Sequence, residues 1–119
     1  MSEFALGIIG GGQLGSMLSI AAKKLNIKTV IFCNDQKAPA QNFCDEFINA
    51  EYDDKNKIYN FAKQVDVITY EFENIPFKTL NELNKLKTVL PKPSVNRLIQ
   101  HRLAEKDFIN KLNIRTTRY

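Results

Sequence analysis

The 119-residue chain has little of what many sites are built from: one histidine, His101, and two cysteines, Cys33 and Cys44. The cysteines lack the paired spacing of a metal site. They read as reduced, partly buried thiols, and a nucleophilic cysteine would need a histidine partner, for which only the distant His101 is available. Long apolar runs are missing too. No stretch approaches the roughly 20 apolar residues of a membrane span. The opening MSEFALGIIGGG lacks the basic-then-apolar pattern of a secretory signal. The chain is therefore expected in the cytoplasm, with no membrane partner. The 17 Lys and Arg against 13 Asp and Glu give a net charge of +4, but the lysines are scattered over polar helix faces without interleaved aromatics. That distribution argues against a nucleic-acid partner and would suit a phosphorylated small substrate. Neither an internal repeat nor a low-complexity segment is present.

What remains is one domain's worth of chain, 44% apolar and 25% charged, long enough to bury one core. Short apolar runs alternate with amphipathic stretches. Residues 5–10 (ALGIIG), 29–33 (TVIFC), 65–70 (VDVITY) and, more weakly, 47–50 and 88–90 are predicted strands. Leu14, Met17, Leu18, Ala21, Ala22 and Leu25 recur at helical spacing and predict one buried helix face. Asp53 or Asp54 is expected to cap a helix carrying Ile58, Phe61, Ala62 and Val65. Leu80, Leu83 and Leu86 mark another helix. Pro91 and Pro93 stop the fifth strand, and Ser94 is expected to cap a helical stretch running to about Leu112, broken near Gln100. Residues 114–119 (IRTTRY) look like a strand just starting, so the chain reads as a segment of a longer one. Alternating strand and helix implies an α/β fold: a mostly parallel sheet flanked by helices.

Residues 10–15 (GGGQLG) fit G-x-G-x-x-G between a strand and a helix. Gly10 and Gly12 allow the tight turn and close ligand approach, and Gly15 lets the helix pack against the strand. The helix N-terminus offers free N–H groups and partial positive charge to an anion. Asp35 lies 20 residues past Gly15, where a dinucleotide enzyme keeps its ribose-binding acid. On these residues alone a dinucleotide, another phosphate ligand and a purely structural turn all stay open. A second feature is residues 66–76 (DVITYEFENIP), a strand running into Glu71 and Glu73. If the extended backbone continues, the two carboxylates share one side. Ligands of open α/β sheets sit at the carboxyl ends of strands, where such a carboxylate could bind ribose hydroxyls or an amine. The plainer alternative is a solvated loop glutamate or a cap for the next helix.

Three ordered motifs, GGGQLGSML at 10–18, DVITYEFENIP at 66–76 and HRLAEKDFINKLNI at 101–114, with APA at 38–40 and AEYDD at 50–54, resemble 5-(carboxyamino)imidazole ribonucleotide synthase. This is an ATP-grasp ligase of purine biosynthesis, and the resemblance runs along essentially the whole chain. It implies a Rossmann-like pre-ATP-grasp domain over residues 1–93 that binds substrate rather than NAD. Residues 94–119 would be a helical linker and the start of the ATP-grasp region. The implied reaction joins aminoimidazole ribonucleotide, bicarbonate and ATP through carboxyphosphate. By match to the family motifs, Gln13, Leu14 and Glu71 contact the ribonucleotide and Arg102 contacts ATP. The Mg2+ ligands lie outside this segment, and the full-length enzyme is a homodimer. No general base or nucleophile is identified within the segment.

Two positions depart from the family pattern: Ser16 where arginine is usual, which leaves a phosphate-directed charge in doubt, and His101 where aspartate is usual, expected as a surface helix residue. Formate-dependent glycinamide ribonucleotide transformylase shares the layout but reads G-E-L-G where this chain has Gly12-Gln13-Leu14-Gly15. Glycinamide carries a cationic amine that a carboxylate suits, whereas the less basic aminoimidazole needs only an amide. An NAD-binding oxidoreductase domain and a stand-alone binding module are the remaining alternatives.

Overall fold

The computed structural model describes residues 4–118; Tyr119 and the first three residues lie outside the described part. The elements run β1 (Ala5–Ile9), α1 (Gln13–Lys24), β2 (Lys28–Cys33), a 3-10 turn (Pro39–Asn42), β3 (Glu46–Asn49), α2 (Lys55–Lys63), β4 (Val67–Tyr70), α3 (Phe77–Leu86), β5 (Thr88–Val89), α4 (Pro93–Ile99) and α5 (Arg102–Lys111). Five parallel strands form one sheet in the order β3-β2-β1-β4-β5. The chain moves outward from β1 to β3, then returns to the other side of β1. The expected α/β class with a parallel sheet is what forms.

The two longest apolar runs become the central pair, β1 and β2, buried on both faces as parallel strands between helices must be. Strand alternation splits the core. Ile9, Val30, Phe32, Ile68 and Val89 pack with Ile58, Phe61, Leu80 and Leu83 of α2 and α3. Ile8, Ile31 and Cys33 pack on the opposite side with Ala38 and Ala40 of the segment around the 3-10 turn. Two carboxylates pin the start of the central strands. Asp66 accepts from the Ala5 N–H at 2.8 Å, and Asp45 accepts from the Thr29 N–H at 2.8 Å. Both cysteines are free, Cys33 buried and Cys44 partly so, and burial raises the pKa of the Cys44 thiol.

Several expectations need correction. The stripe on α1 does not face the core: Leu14 and Met17 are each 56% exposed and Leu25, just past the helix, 72%. The buried residues are Gly15, Ser16, Ser19 and Ala22. Small side chains go inward because the helix must start hard against the glycine loop, and the larger ones are left on the neighbouring face. Leu86 is likewise exposed, while Leu80 and Leu83 are buried. Asp54 is the α2 cap, accepting from the Lys57 N–H at 3.2 Å. Ser94 caps nothing; it lies inside α4, whose first residue is Pro93. The helical stretch does break at Gln100, but His101 is no mid-helix residue. Its Nδ1 accepts from the Ala104 N–H at 3.2 Å and caps α5. Residues 114–118 form no strand.

Phe61 is fully buried against Phe32, ring centroids 5.6 Å apart. We expect Phe61→Ala to cost about 3–5 kcal/mol in urea denaturation, and Leu18→Lys on the exposed α1 face to stay within about 0.5 kcal/mol of the wild type.

Candidate functional site

The reversal of strand order falls between β1 and β4, and the crevice beyond their carboxyl ends is where open α/β sheets bind ligands. The glycine loop leaves β1 there and Glu71 leaves β4 there. The register pairs Ile9 with Tyr70, and the Glu71 N–H donates to the Ile9 carbonyl at 3.1 Å. Gly10 and Glu71 are therefore set side by side by backbone pairing alone.

The Glu71 side chain turns into the glycine loop. One carboxylate oxygen accepts from the Gly12 N–H at 2.9 Å, and the other accepts from the Gly15 N–H at 2.5 Å. Helix α1 has no side-chain cap of its own and no acid in its first turn. Glu71 supplies both from 56 and 59 residues away, satisfying otherwise orphan donors and meeting the positive end of the helix dipole. Glycine is required where the carboxylate comes in. Gly10 has φ +108°, and a Cβ there would collide with the Glu71 side chain. At Gly15 a Cβ would lie 2.8 Å from the Gly10 carbonyl oxygen.

The loop is therefore filled from within. The two N–H groups that a pyrophosphate would take are held by a carboxylate of the same charge sign, which removes the basis for a dinucleotide. Asp35, the other support for that reading, closes a local turn by accepting from the Lys37 N–H at 2.9 Å. Ser16 does not stand in for a phosphate-directed charge. It is buried, and its hydroxyl donates to the Gly12 carbonyl at 3.1 Å. A carboxylate has about four lone-pair sites. With two taken by the loop, about two remain for a ligand's N–H or O–H groups.

The other expected residues are distributed around this centre. Gln13 and Leu14 are the first two residues of α1, both exposed next to the clamp. Arg102 is exposed at the start of α5 and, among the described residues, makes no hydrogen bond or ion pair with the loop or with Glu71. Glu73 does not join Glu71. The extended backbone ends at Tyr70, the chain bends, and Glu73 is exposed. Its carbonyl, not its carboxylate, is engaged, accepting from Asn96 Nδ2 at 3.1 Å and Gln100 Nε2 at 2.7 Å.

Sequence reasoning missed Tyr52, Asn96 and Gln100. Tyr52 packs between Phe32 and Phe72 with its ring tilted to both, centroids 6.0 and 6.3 Å away. Its hydroxyl is buried and, among the described residues, has no hydrogen-bond partner. Burial, then the nearby Cys33 thiol and, further down in effect, the Glu71 carboxylate raise its pKa well above the ordinary tyrosine value. The signal for Glu71's partner was present: a glycine loop lacking a capping side chain, and an acid one residue past the neighbouring strand. Among the described residues, no group of three or more His, Cys, Asp or Glu could hold a metal ion, and no helix is long and apolar enough to cross a membrane.

If Glu71 is the anion that α1 requires, its loss should open an anion site. Glu71→Ala is expected to lower the melting temperature, and added inorganic phosphate to restore part of the loss, while leaving the wild type unmoved. Equal phosphate responses in both proteins would count against the internal-anion role.

Comparison with known proteins places the chain in a family. Residues 3–100 match the ribonucleotide synthetase preATP-grasp domain family. The N5-carboxyaminoimidazole ribonucleotide synthase of Brucella melitensis is 41% identical over 111 residues, covering 93% of this chain and 31% of that protein. The crystal structure of N5-carboxyaminoimidazole synthetase from Staphylococcus aureus complexed with ADP superposes with a TM-score of 0.87 at 36% identity, covering 94% of this chain and 31% of that one. The Aspergillus clavatus synthase in complex with ADP and 5-aminoimidazole ribonucleotide gives a TM-score of 0.85 at 27% identity, covering 98% of this chain and 31% of that one. The chain spans between 11% and 31% of the length of the first curated relatives it matches. With the family match spanning residues 3–100, the chain belongs to the ribonucleotide synthetase preATP-grasp domain family.

Proposed function

We propose that this chain is the ribonucleotide-binding part of an ATP-dependent carbon–nitrogen ligase that carboxylates 5-aminoimidazole ribonucleotide with bicarbonate, in purine biosynthesis. The observation that carries this is the Glu71 carboxylate, fixed by the Gly12 and Gly15 N–H groups at the sheet's switch point with lone pairs to spare. Support comes from relatives of that name and from the solved Aspergillus clavatus relative holding ADP and 5-aminoimidazole ribonucleotide.

In this reading Glu71 accepts hydrogen bonds from the ribonucleotide, and Gln13 and Leu14 complete the contact from the exposed start of α1. The neutral Gln13 amide suits the weakly basic aminoimidazole amine better than the carboxylate of the glycinamide enzyme would. ATP phosphorylates bicarbonate to carboxyphosphate, and the amine captures the carboxyl group as phosphate leaves. This segment contributes position. Holding the amine still makes a bimolecular attack effectively intramolecular, and a closed site protects an acyl phosphate from water. Arg102 contacts ATP. Mg2+ would accompany the nucleotide, with ligands outside residues 4–118. We place the substrate-binding domain at residues 1–93 and a linker from residue 94. That α5 buries none of its residues supports a linker. A homodimeric, cytoplasmic full-length enzyme completes the proposal, and the exposed apolar side chains of Met17 and Ile20 offer surface that association would bury.

In the complete ligase chain, Glu71→Gln is expected to raise KM for the ribonucleotide or lower kcat by about tenfold or more, since hydrogen bonds to a charged group are worth about 1.5–3 kcal/mol. Unchanged steady-state kinetics would sink the role of Glu71. Arg102→Ala should weaken ATP more than the ribonucleotide, which isothermal titration of each ligand would resolve. NAD should leave the melting temperature unchanged, and stabilisation by NAD would return the dinucleotide reading.

A further inference from the structure

The loop that carries Glu71 is held on two sides. Its apolar side is anchored by the fully buried Ile75 and by Phe72 against Tyr52. Its polar side is gripped by two side-chain amides, one from α4 and one from the residue that caps its C-terminus. Gln100 Nε2 donates to the carbonyls of Glu73 and Ile75, at 2.7 and 2.6 Å. Asn96 Nδ2 donates to the same Glu73 carbonyl at 3.1 Å. Asn96 is completely buried, and among the described residues its Oδ1 has no partner. A leucine, which branches at the same carbon, would spare the fold that orphan acceptor. The amide thus leaves its own oxygen unmet while its nitrogen fixes the loop.

The placement of these bonds matters. Between Glu71 and Ile75 the backbone has neither strand nor helix to set it, and the Glu73 and Ile75 carbonyls are held by side-chain donors from outside the loop. Glu71 must meet two N–H groups at once, and a shift of the loop would break that bidentate contact. Gln100 is the C-terminal cap residue of α4, and His101 caps α5 immediately after it. The break between the helices places the Gln100 amide at the loop.

We propose that Gln100 and Asn96 are positioning residues for the ribonucleotide site, acting through the loop to hold the Glu71 carboxylate in its bidentate geometry. This rests on the ligase reading of Glu71. The amides do not touch substrate; they restrict where Glu71 can be.

The test is a double-mutant cycle in the complete ligase chain, read as KM for each substrate. Gln100→Met keeps the side chain's length and removes its donors. It should raise KM for the ribonucleotide about tenfold and leave KM for ATP within about twofold. Asn96→Leu should act in the same direction. In a Glu71→Gln background, Gln100→Met should add less than about twofold, because the clamp works through that carboxylate. Gln100→Lys, which returns a donor on a flexible stem, should recover most of the affinity. If Gln100→Met is too unstable to assay, Gln100→Asn, which withdraws the amide by one methylene, carries the same comparison. The proposal is overturned if the ribonucleotide KM does not move, if both substrates weaken equally, or if the effects of Glu71→Gln and Gln100→Met multiply in full. A silent Glu71→Gln would remove the substrate-binding role of Glu71 on which the clamp rests, whereas a Glu71→Gln that raises the ribonucleotide KM beside a silent Gln100→Met would remove only the clamp.

Discussion

The contact between the Glu71 carboxylate and the Gly12 and Gly15 N–H groups organises the upper edge of this fold. Parallel sheets point every following helix N-terminus toward one edge, and each such terminus carries unpaired donors and partial positive charge. In many glycine-loop folds a ligand phosphate answers that demand. Here an acid from the neighbouring strand answers it. Much else follows from that substitution. Gly10 takes φ +108° and has no room for a side chain because Glu71 comes in beside it. Gly15 must lack a Cβ because the Gly10 carbonyl closes over it. Helix α1 then lies close to the sheet on a face of Gly15, Ser19 and Ala22, and its larger apolar residues remain outside.

The same contact changes what the site can recognise. An empty glycine loop is an anion receptor, whereas a loop already holding a carboxylate is an anion presented on a rigid mount. It seeks donors: an amine, a ring N–H, a hydroxyl. The polarity of the expected ligand is inverted, even though the motif matches the dinucleotide pattern letter for letter. A bidentate contact from two backbone N–H groups is also a stiff one, and stiffness is what a positioning site needs. The amides of Asn96 and Gln100 extend that stiffness into a loop which has no regular structure of its own.

Carboxylates set the other edge of the sheet as well. Asp66 and Asp45 accept from N–H groups at the start of the central strands, those of Ala5 and Thr29. Acids from later parts of the chain therefore fasten both edges to the β1–β2 pair. These bonds close separations of 16 to 61 residues, so they report the assembled topology and not local propensity.

Much of the architecture was legible from residues alone. The buried runs at β1 and β2 could only be interior strands, the glycines after β1 could only be a turn, and the Ile58, Phe61 and Ala62 spacing gave α2 its inward face. The site's two halves, the loop and Glu71, were visible as separate features on one sheet edge. Their contact was not, because it depends on the register that sets Ile9 against Tyr70. Periodicity also misled on α1, since it assumes that the largest apolar residues turn inward, and here the loop demanded the small ones. His101 and Ser94 exchanged roles for a related reason: a proline at the first position begins α4 without a capping side chain, and the break after it needs one. Local composition thus determined which segments are strands and helices and which of them carry chemistry. Only the tertiary structure decided that the glycine loop binds the chain's own carboxylate, because strand pairing brings together groups that lie 56 to 59 residues apart.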